Sequence, residues 1–226
     1  MNAAVTNPLT NLLGLERSEL EAFVGSLGSK PFRARQLMSW MYKRAEGDFA
    51  SMTDLAKDFR AQLQDCAEIR VPEIVSRHDS ADGTRKWLLR ADSAQAFEMV
   101  FIPEVDRGTL CISSQVGCAL DCSFCSTAQQ GFNRNLSSAE IVGQVWLANR
   151  ELGFEPGGDR RITNVVFMGM GEPLANYVRV VSAVQRITAA PPDGFGISAR
   201  SVTVSTVGVA PAIRKLADER LGVTLA

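Results

Sequence analysis

From Gly117 to Ala226 the chain alternates between short apolar runs and amphipathic stretches, and this rhythm constrains its fold more than any other feature. A cysteine-bearing loop comes first. A helical pattern follows over about 138–152, opened by Ser137 with Glu140 three residues later, the pairing of a capping box. Then come an apolar run at Ile162–Phe167, a helix over 176–189, a run at Ser201–Ser205, a helix over 210–219 and a last run at Gly222–Ala226. Repeating strand–helix units point to a parallel sheet. The fold class is α/β, with the sheet open or curling into a barrel. The sequence ends inside its last apolar run, so a fragment of a longer protein is expected.

Upstream the character differs. Residues 1–66 read as a small helical unit. Ser18 and Glu21 form a capping-box pair, Leu20, Phe23, Val24 and Leu27 supply an apolar stripe, and Gly28 stops the helix. Pro31 opens a second helix with Phe32, Leu37, Trp40 and Met41 inward. A third follows Thr53 and Asp54, burying Leu55, Phe59 and Leu63, with Cys66 at its end as a small hydrophobe. Residues 67–110 read as a β-rich linker, and 111–226 as the main domain. Strands are expected at Ile69–Ser76, Arg85–Arg90, Ala96–Ile102 and Thr109–Ser113, split by Asp-Gly and Pro-Glu-Val-Asp-Arg-Gly turns into an antiparallel meander.

Composition excludes several classes. With 46% hydrophobic and 22% charged residues the chain resembles an ordinary globular protein. It has no apolar run of about 18 residues, so no membrane span is expected. Met1–Pro8 lacks the basic and apolar regions of a secretion signal. Five cysteines, three of them clustered, do not form a disulfide framework and suit a reducing cytoplasm. A net charge of −1 provides no global field toward nucleic acid, so RNA contacts would have to be local. Arg33, Arg35, Lys43 and Arg44 make one basic cluster, Arg160 and Arg161 another. Both also read as a solvated helix face and a charged loop.

Cys118, Cys122 and Cys125 are spaced C-x3-C-x2-C. Three thiolates at this spacing can hold three corners of a [4Fe–4S] cluster and leave one iron open to a ligand. Structural zinc wants four protein ligands, and the only histidine, His78, lies in another segment. Chance spacing of loop cysteines remains the other reading. In βα folds ligands bind beyond the C-terminal ends of strands. The cysteine loop lies there, as do Phe167-Met-Gly-Met-Gly-Glu-Pro-Leu174 and Val204-Ser-Thr-Val-Gly208. The glycines admit a close ligand, and Glu172 can accept bonds from an ammonium group.

The run Cys111-Ile-Ser-Ser-Gln-Val-Gly-Cys118-Ala-Leu-Asp-Cys122-Ser-Phe-Cys125, continuing to Leu136, together with Gly169-Met-Gly-Glu-Pro-Leu174, resembles the RlmN family of radical S-adenosylmethionine (SAM) RNA methyltransferases. The likeness extends over almost the whole sequence. The stretch Ser126-Thr-Ala-Gln-Gln-Gly-Phe132 matches these adenine-C2 methylating enzymes better than their C8-methylating relatives. The resemblance implies a partial radical SAM barrel preceded by a helical domain. It also implies a [4Fe–4S] cluster, SAM, and an adenosine of 23S rRNA and of some tRNAs as substrate. A cytoplasmic monomer served by an electron donor such as flavodoxin is expected.

By the same resemblance Cys118, Cys122 and Cys125 match the cluster ligands, and Gly171 with Glu172 the contact to the SAM amino group. Ser205 matches a contact to the SAM carboxylate or ribose, and Phe124 packs near its adenine. C2 of adenine is electron-poor and will not attack the methyl of SAM, so a radical route through a methylated cysteine is implied. Glu98 matches the acceptor of the C2 proton, and Cys111 the thiol that resolves the protein–RNA adduct as a disulfide. Read without the resemblance, Glu98 is an outward strand residue and Cys111 a buried strand cysteine. The methyl-carrying cysteine, a Ser-Leu-His motif and a later asparagine would lie beyond Ala226. A non-catalytic, metal-bearing RNA-binding fragment is the alternative of a different class.

Overall fold

The computed structural model describes residues 9–90, 95–120 and 122–226. Met1–Pro8, expected to carry no secretion signal, lies outside the described residues. The helical unit runs from β1 (Thr10–Asn11) through α1 (Arg17–Ser26), α2 (Phe32–Met38) and α3 (Lys57–Cys66) to β2 (Ala67–Glu68), which pairs in parallel with β1. α2 continues into a wider helical turn over Ser39–Lys43.

Two expectations here are corrected. The capping box of α1 is Glu16 with Glu19, not Ser18 with Glu21, and the Glu16 amide donates to Glu19 Oε2 at 2.7 Å. A carboxylate serves as acceptor here, and the helix begins one residue before Ser18. Phe32 is 51% exposed rather than inward. The buried face of this helix is Ala34, Leu37, Met38 and Met41, an i, i+3, i+4, i+7 stripe from which Phe32 is rotated away.

The segment expected as a linker supplies β3 (Glu73–Asp79), β4 (Arg85–Arg90) and β5 (Ala96–Pro103), an antiparallel meander leading into β6 (Gly108–Cys111). β3 starts later than Ile69 because Pro72 has no amide to give to a ladder. Next come β7 (Gln115–Gly117), α4 (Ser126–Gln129) and β8 (Phe132–Asn135), where β7 and β8 form an antiparallel ribbon. α5 (Ser138–Glu151), β9 (Asn164–Phe167), α6 (Tyr177–Thr188), β10 (Val202–Val204), α7 (Ala210–Asp218) and β11 (Thr224–Leu225) complete the chain.

β6, β9, β10 and β11 are parallel, and they join the meander edge to edge in one seven-stranded sheet, β11-β10-β9-β6-β5-β4-β3. The sheet is mixed and open, not a closed barrel. Its two faces differ sharply. Phe97, Met99, Leu110, Val165, Phe167, Val202 and Val204 are buried in a core shared with α5 and α6. Glu98, Val100, Cys111, Val166 and Thr203 point the other way and are half-buried. Period-two alternation thus gives one helix-covered face and one open face.

α5 is buried along most of its length, and the Trp146 indole donates to Met41 O at 2.8 Å, docking the helical unit on it. Its predicted cap is present: Ser137 Oγ accepts from the Glu140 amide, and Glu140 Oε2 from the Ser137 amide. Arg134 grips the same carboxylate at 2.8 and 2.6 Å. Burial by itself would raise the Glu140 carboxyl, but the bonds from Arg134 and Ser137 outweigh it and hold it below the ordinary value. The stabilisation is therefore present above the ordinary carboxylate value and is lost as pH falls below it, through the lowered value of the folded state. Glu140→Gln should cost about 2 kcal/mol at neutral pH. That difference should shrink on acidification in paired denaturation curves; a pH-independent difference would refute the assignment.

Candidate active site at the C-terminal strand ends

The cysteine loop is held at its neck by the β7–β8 ribbon. Gly117 has φ 71°, and a Cβ there would come within 1.8 Å of Gly131 O, so only glycine lets the loop close. The Cys118 amide donates to that same Gly131 oxygen at 3.1 Å, and the Cys125 amide to Cys122 O at 3.0 Å. α4 starts directly after Cys125. The Ala128 amide, with Thr127 behind it, holds the Cys125 thiol below its ordinary range, which favours the thiolate.

Beside this loop lies the turn after β9. Gly171 has φ 95°, and a Cβ there would meet Gln115 Cβ at 2.4 Å. Glu172 is 3% exposed: Oε1 accepts from the Leu174 amide at 2.9 Å, Oε2 from the Val207 amide at 3.0 Å. One carboxylate thus ties the strand-end turn of β9 to that of β10. Each oxygen keeps a lone pair for a further donor.

Seven of the nine expected site residues line a single cavity of ≈ 510 Å³: Cys118, Cys122, Phe124, Cys125, Gly171, Glu172 and Ser205. Phe124 is 89% exposed, Met168 51% and Val207 59%, an apolar rim around polar groups. Glu98 and Cys111 do not line it. Cys111 sits in the sheet beside Val166, one residue before the cavity-lining Phe167. Burial pushes its thiol up, against the Met168 amide, which works to lower it. Glu98 lies on the same open face, two residues along β5 from Val100, the partner of Cys111. Its carboxylate pairs with Lys86 Nζ at 2.7 Å.

Two further expectations meet the structure here. All five cysteines are free, so the disulfide implied by the resemblance is not formed within this chain. The cysteines occupy separate elements, with Cys66 in the helical unit, Cys111 mid-sheet and the others in the loop. Among the described residues no three His, Cys, Asp or Glu are gathered around a single ion-sized point.

A layer of buried polar residues behind the cavity escaped the sequence reading. Gln115 accepts from the Glu172 amide at 2.8 Å and donates to Asn135 Oδ1 at 2.7 Å. Asn176 donates to Ser114 O and Leu136 O, both at 2.8 Å. Ser113 Oγ accepts from the Met170 amide at 2.8 Å and donates to Glu98 O at 2.6 Å. These bonds brace the turn after β9 against the segment that leads into the cysteine loop. The signal was the Ser113-Ser-Gln115 triplet inside an otherwise apolar stretch.

Residues 10–69 match the family model described as the ribosomal RNA large subunit methyltransferase N-terminal domain. Over 217 residues the chain is 55% identical to proteins named dual-specificity RNA methyltransferase RlmN from Pseudomonas putida strains GB-1 and W619. Along nearly its whole length the chain is similar to RlmN proteins. That match covers 96% of this chain and 56% of each relative, so the chain spans about half the length of the curated RlmN proteins it matches. A radical SAM methyltransferase from Sphaerobacter thermophilus superposes with a TM-score of 0.88 at 39% identity, covering 96% of this chain and 62% of that one. No helix among the described residues is long and apolar enough to cross a membrane.

Proposed function

We propose that this chain is the cluster- and SAM-binding part of an RNA methyltransferase acting on C2 of an adenosine in 23S rRNA and in some tRNAs. The observation that carries this reading is the single cavity that joins three loop cysteines to Gly171, Glu172 and Ser205 at successive strand ends. The donor set fits a [4Fe–4S] cluster. Three thiols are offered without a fourth, as a cluster with one open iron needs. A cube also spreads its ligands over separate corners, so they need not surround one point. When bound, the cluster and SAM supply one-electron cleavage of a carbon–sulfur bond.

The chain's own residues have other tasks. Glu172 holds the two turns together and keeps an acceptor site for the amino group of SAM. Ser205 offers a hydroxyl at the cavity wall. Phe124 presents a bare ring whose burial against an adenine would contribute about 2 kcal/mol. On the open face of the sheet, Glu98 accepts the C2 proton and Cys111 supplies the resolving thiol. Glu98 on an open face can be reached by a base drawn out of its stack. A reducing, cytoplasmic setting suits exposed thiols that hold a cluster. A flavodoxin-like donor and a monomeric state complete the reading.

The protein, reconstituted anaerobically with iron and sulfide, should bind about four irons, and its visible spectrum should shift when SAM is added. Uptake of stoichiometric zinc with no iron under the same reducing conditions would sink the reading in favour of a metal-bearing RNA-binding fragment.

A further inference from the structure

A second cavity of ≈ 500 Å³ lies at the N-terminal ends of β9 and β10, between the helical unit and the segments that lead into these strands. Two basic clusters far apart in sequence converge on it: Lys43 and Arg44 from the turn after α2, Arg160 from the approach to β9. No carboxylate lines it. Among the described residues none of these cations has an acidic partner within ion-pair distance. Arg44 lies over the Trp40 ring at 3.9 Å, and Arg160 donates to Phe195 O and Gly196 O at 2.8 Å each. The rest of the wall mixes the polar Ser39 and Asn149 with apolar surface, in which the half-buried Phe154 lies with Pro156, Pro191 and Phe195.

Tyr42 also lines this cavity, but its hydroxyl is buried out of the reach of solvent. Three cations without acidic partners and aromatic surface together suit a phosphate joined to a flat ring.

We propose that this cavity binds a nucleoside phosphate, with Lys43, Arg44 and Arg160 on the phosphate and Phe154 against the base. The ligand is either a free nucleotide or one unit of an RNA strand. The strand source rests on the function proposed above; the free nucleotide does not. The site is distinct from the cysteine-loop cavity, which opens at the other ends of the same strands.

The test titrates the intact protein with uridine 5′-monophosphate and with a single-stranded decaribonucleotide of uridine. Uridine is chosen because the cluster cavity is expected to take an adenosine. Lys43→Glu and Arg44→Glu should each weaken binding about tenfold or more. Both side chains exchanged for Glu are exposed, so these variants should fold. Weakening with the mononucleotide identifies a free-nucleotide pocket; weakening with the decamer alone identifies a strand unit. Wild-type affinity for both probes in both Glu variants would overturn the proposal. Iron content and the SAM response of the same variants should match wild type. Loss of nucleotide binding with an intact SAM response in wild type would defeat this inference alone, whereas nucleotide binding without iron uptake would defeat only the catalytic reading.

Discussion

Replacing any one of Cys118, Cys122 or Cys125 by Ala should abolish iron uptake and the SAM-induced spectral change in the reconstituted protein. Three thiolates are the minimum that leaves one iron open. With two, the cube loses a second corner to solvent and falls apart. The fold should survive, because all three side chains are only half-buried and sit on a loop outside the core. Thermal unfolding should therefore change by no more than about 1 kcal/mol. Cys66→Ala is the control: its thiol donates to Gln62 O at 3.0 Å within α3, outside the cysteine-loop cavity. Iron content preserved in any of the three loop variants, or lost in Cys66→Ala, would refute the ligand assignment.

In a full-length protein carrying this sequence, Cys111→Ala should retain the cluster and SAM binding yet stop turnover, leaving protein covalently joined to RNA. The adduct would appear as a denaturation-resistant mobility shift. Without the resolving thiol nothing displaces the methyl-carrying sulfur. Because burial holds the Cys111 thiol up, it is protonated at neutral pH, and adduct release should quicken as pH rises. Glu98→Gln should lower the yield of 2-methyladenosine about a hundredfold or more, since the amide cannot accept the C2 proton. Normal methylation by either variant would remove that residue from the mechanism. Lys86→Ala would separate the roles further: it frees the Glu98 carboxylate without altering Cys111.

Much of the architecture was legible because it depends on local chemistry. The α5 cap at Ser137 and Glu140, the βα alternation and the strands at Arg85–Arg90 and Ala96–Pro103 follow from neighbours a few residues apart. The cysteine triplet and the Gly-Glu-Pro turn were also readable, since their spacing is itself the chemical signal. Errors arose at the cap of α1, where Ser18 with Glu21 fits the usual spacing but the Glu16 carboxylate serves instead, and at the inward residue of α2, which depends on a helix phase that only the core selects.

By itself, then, the sequence determined the α/β class, the loop that carries three thiols and the two turns that face it. Only the tertiary structure decided that the meander and the parallel strands share one open sheet. It also put Glu98 and Cys111 on the same face, gave Glu98 the partner Lys86, and brought Lys43 and Arg44 to Arg160 across more than a hundred residues. The physical reason is range. Caps, turns and ligand spacing act within a few residues, whereas strand order, the choice of buried face and the meeting of distant side chains are settled when the core closes.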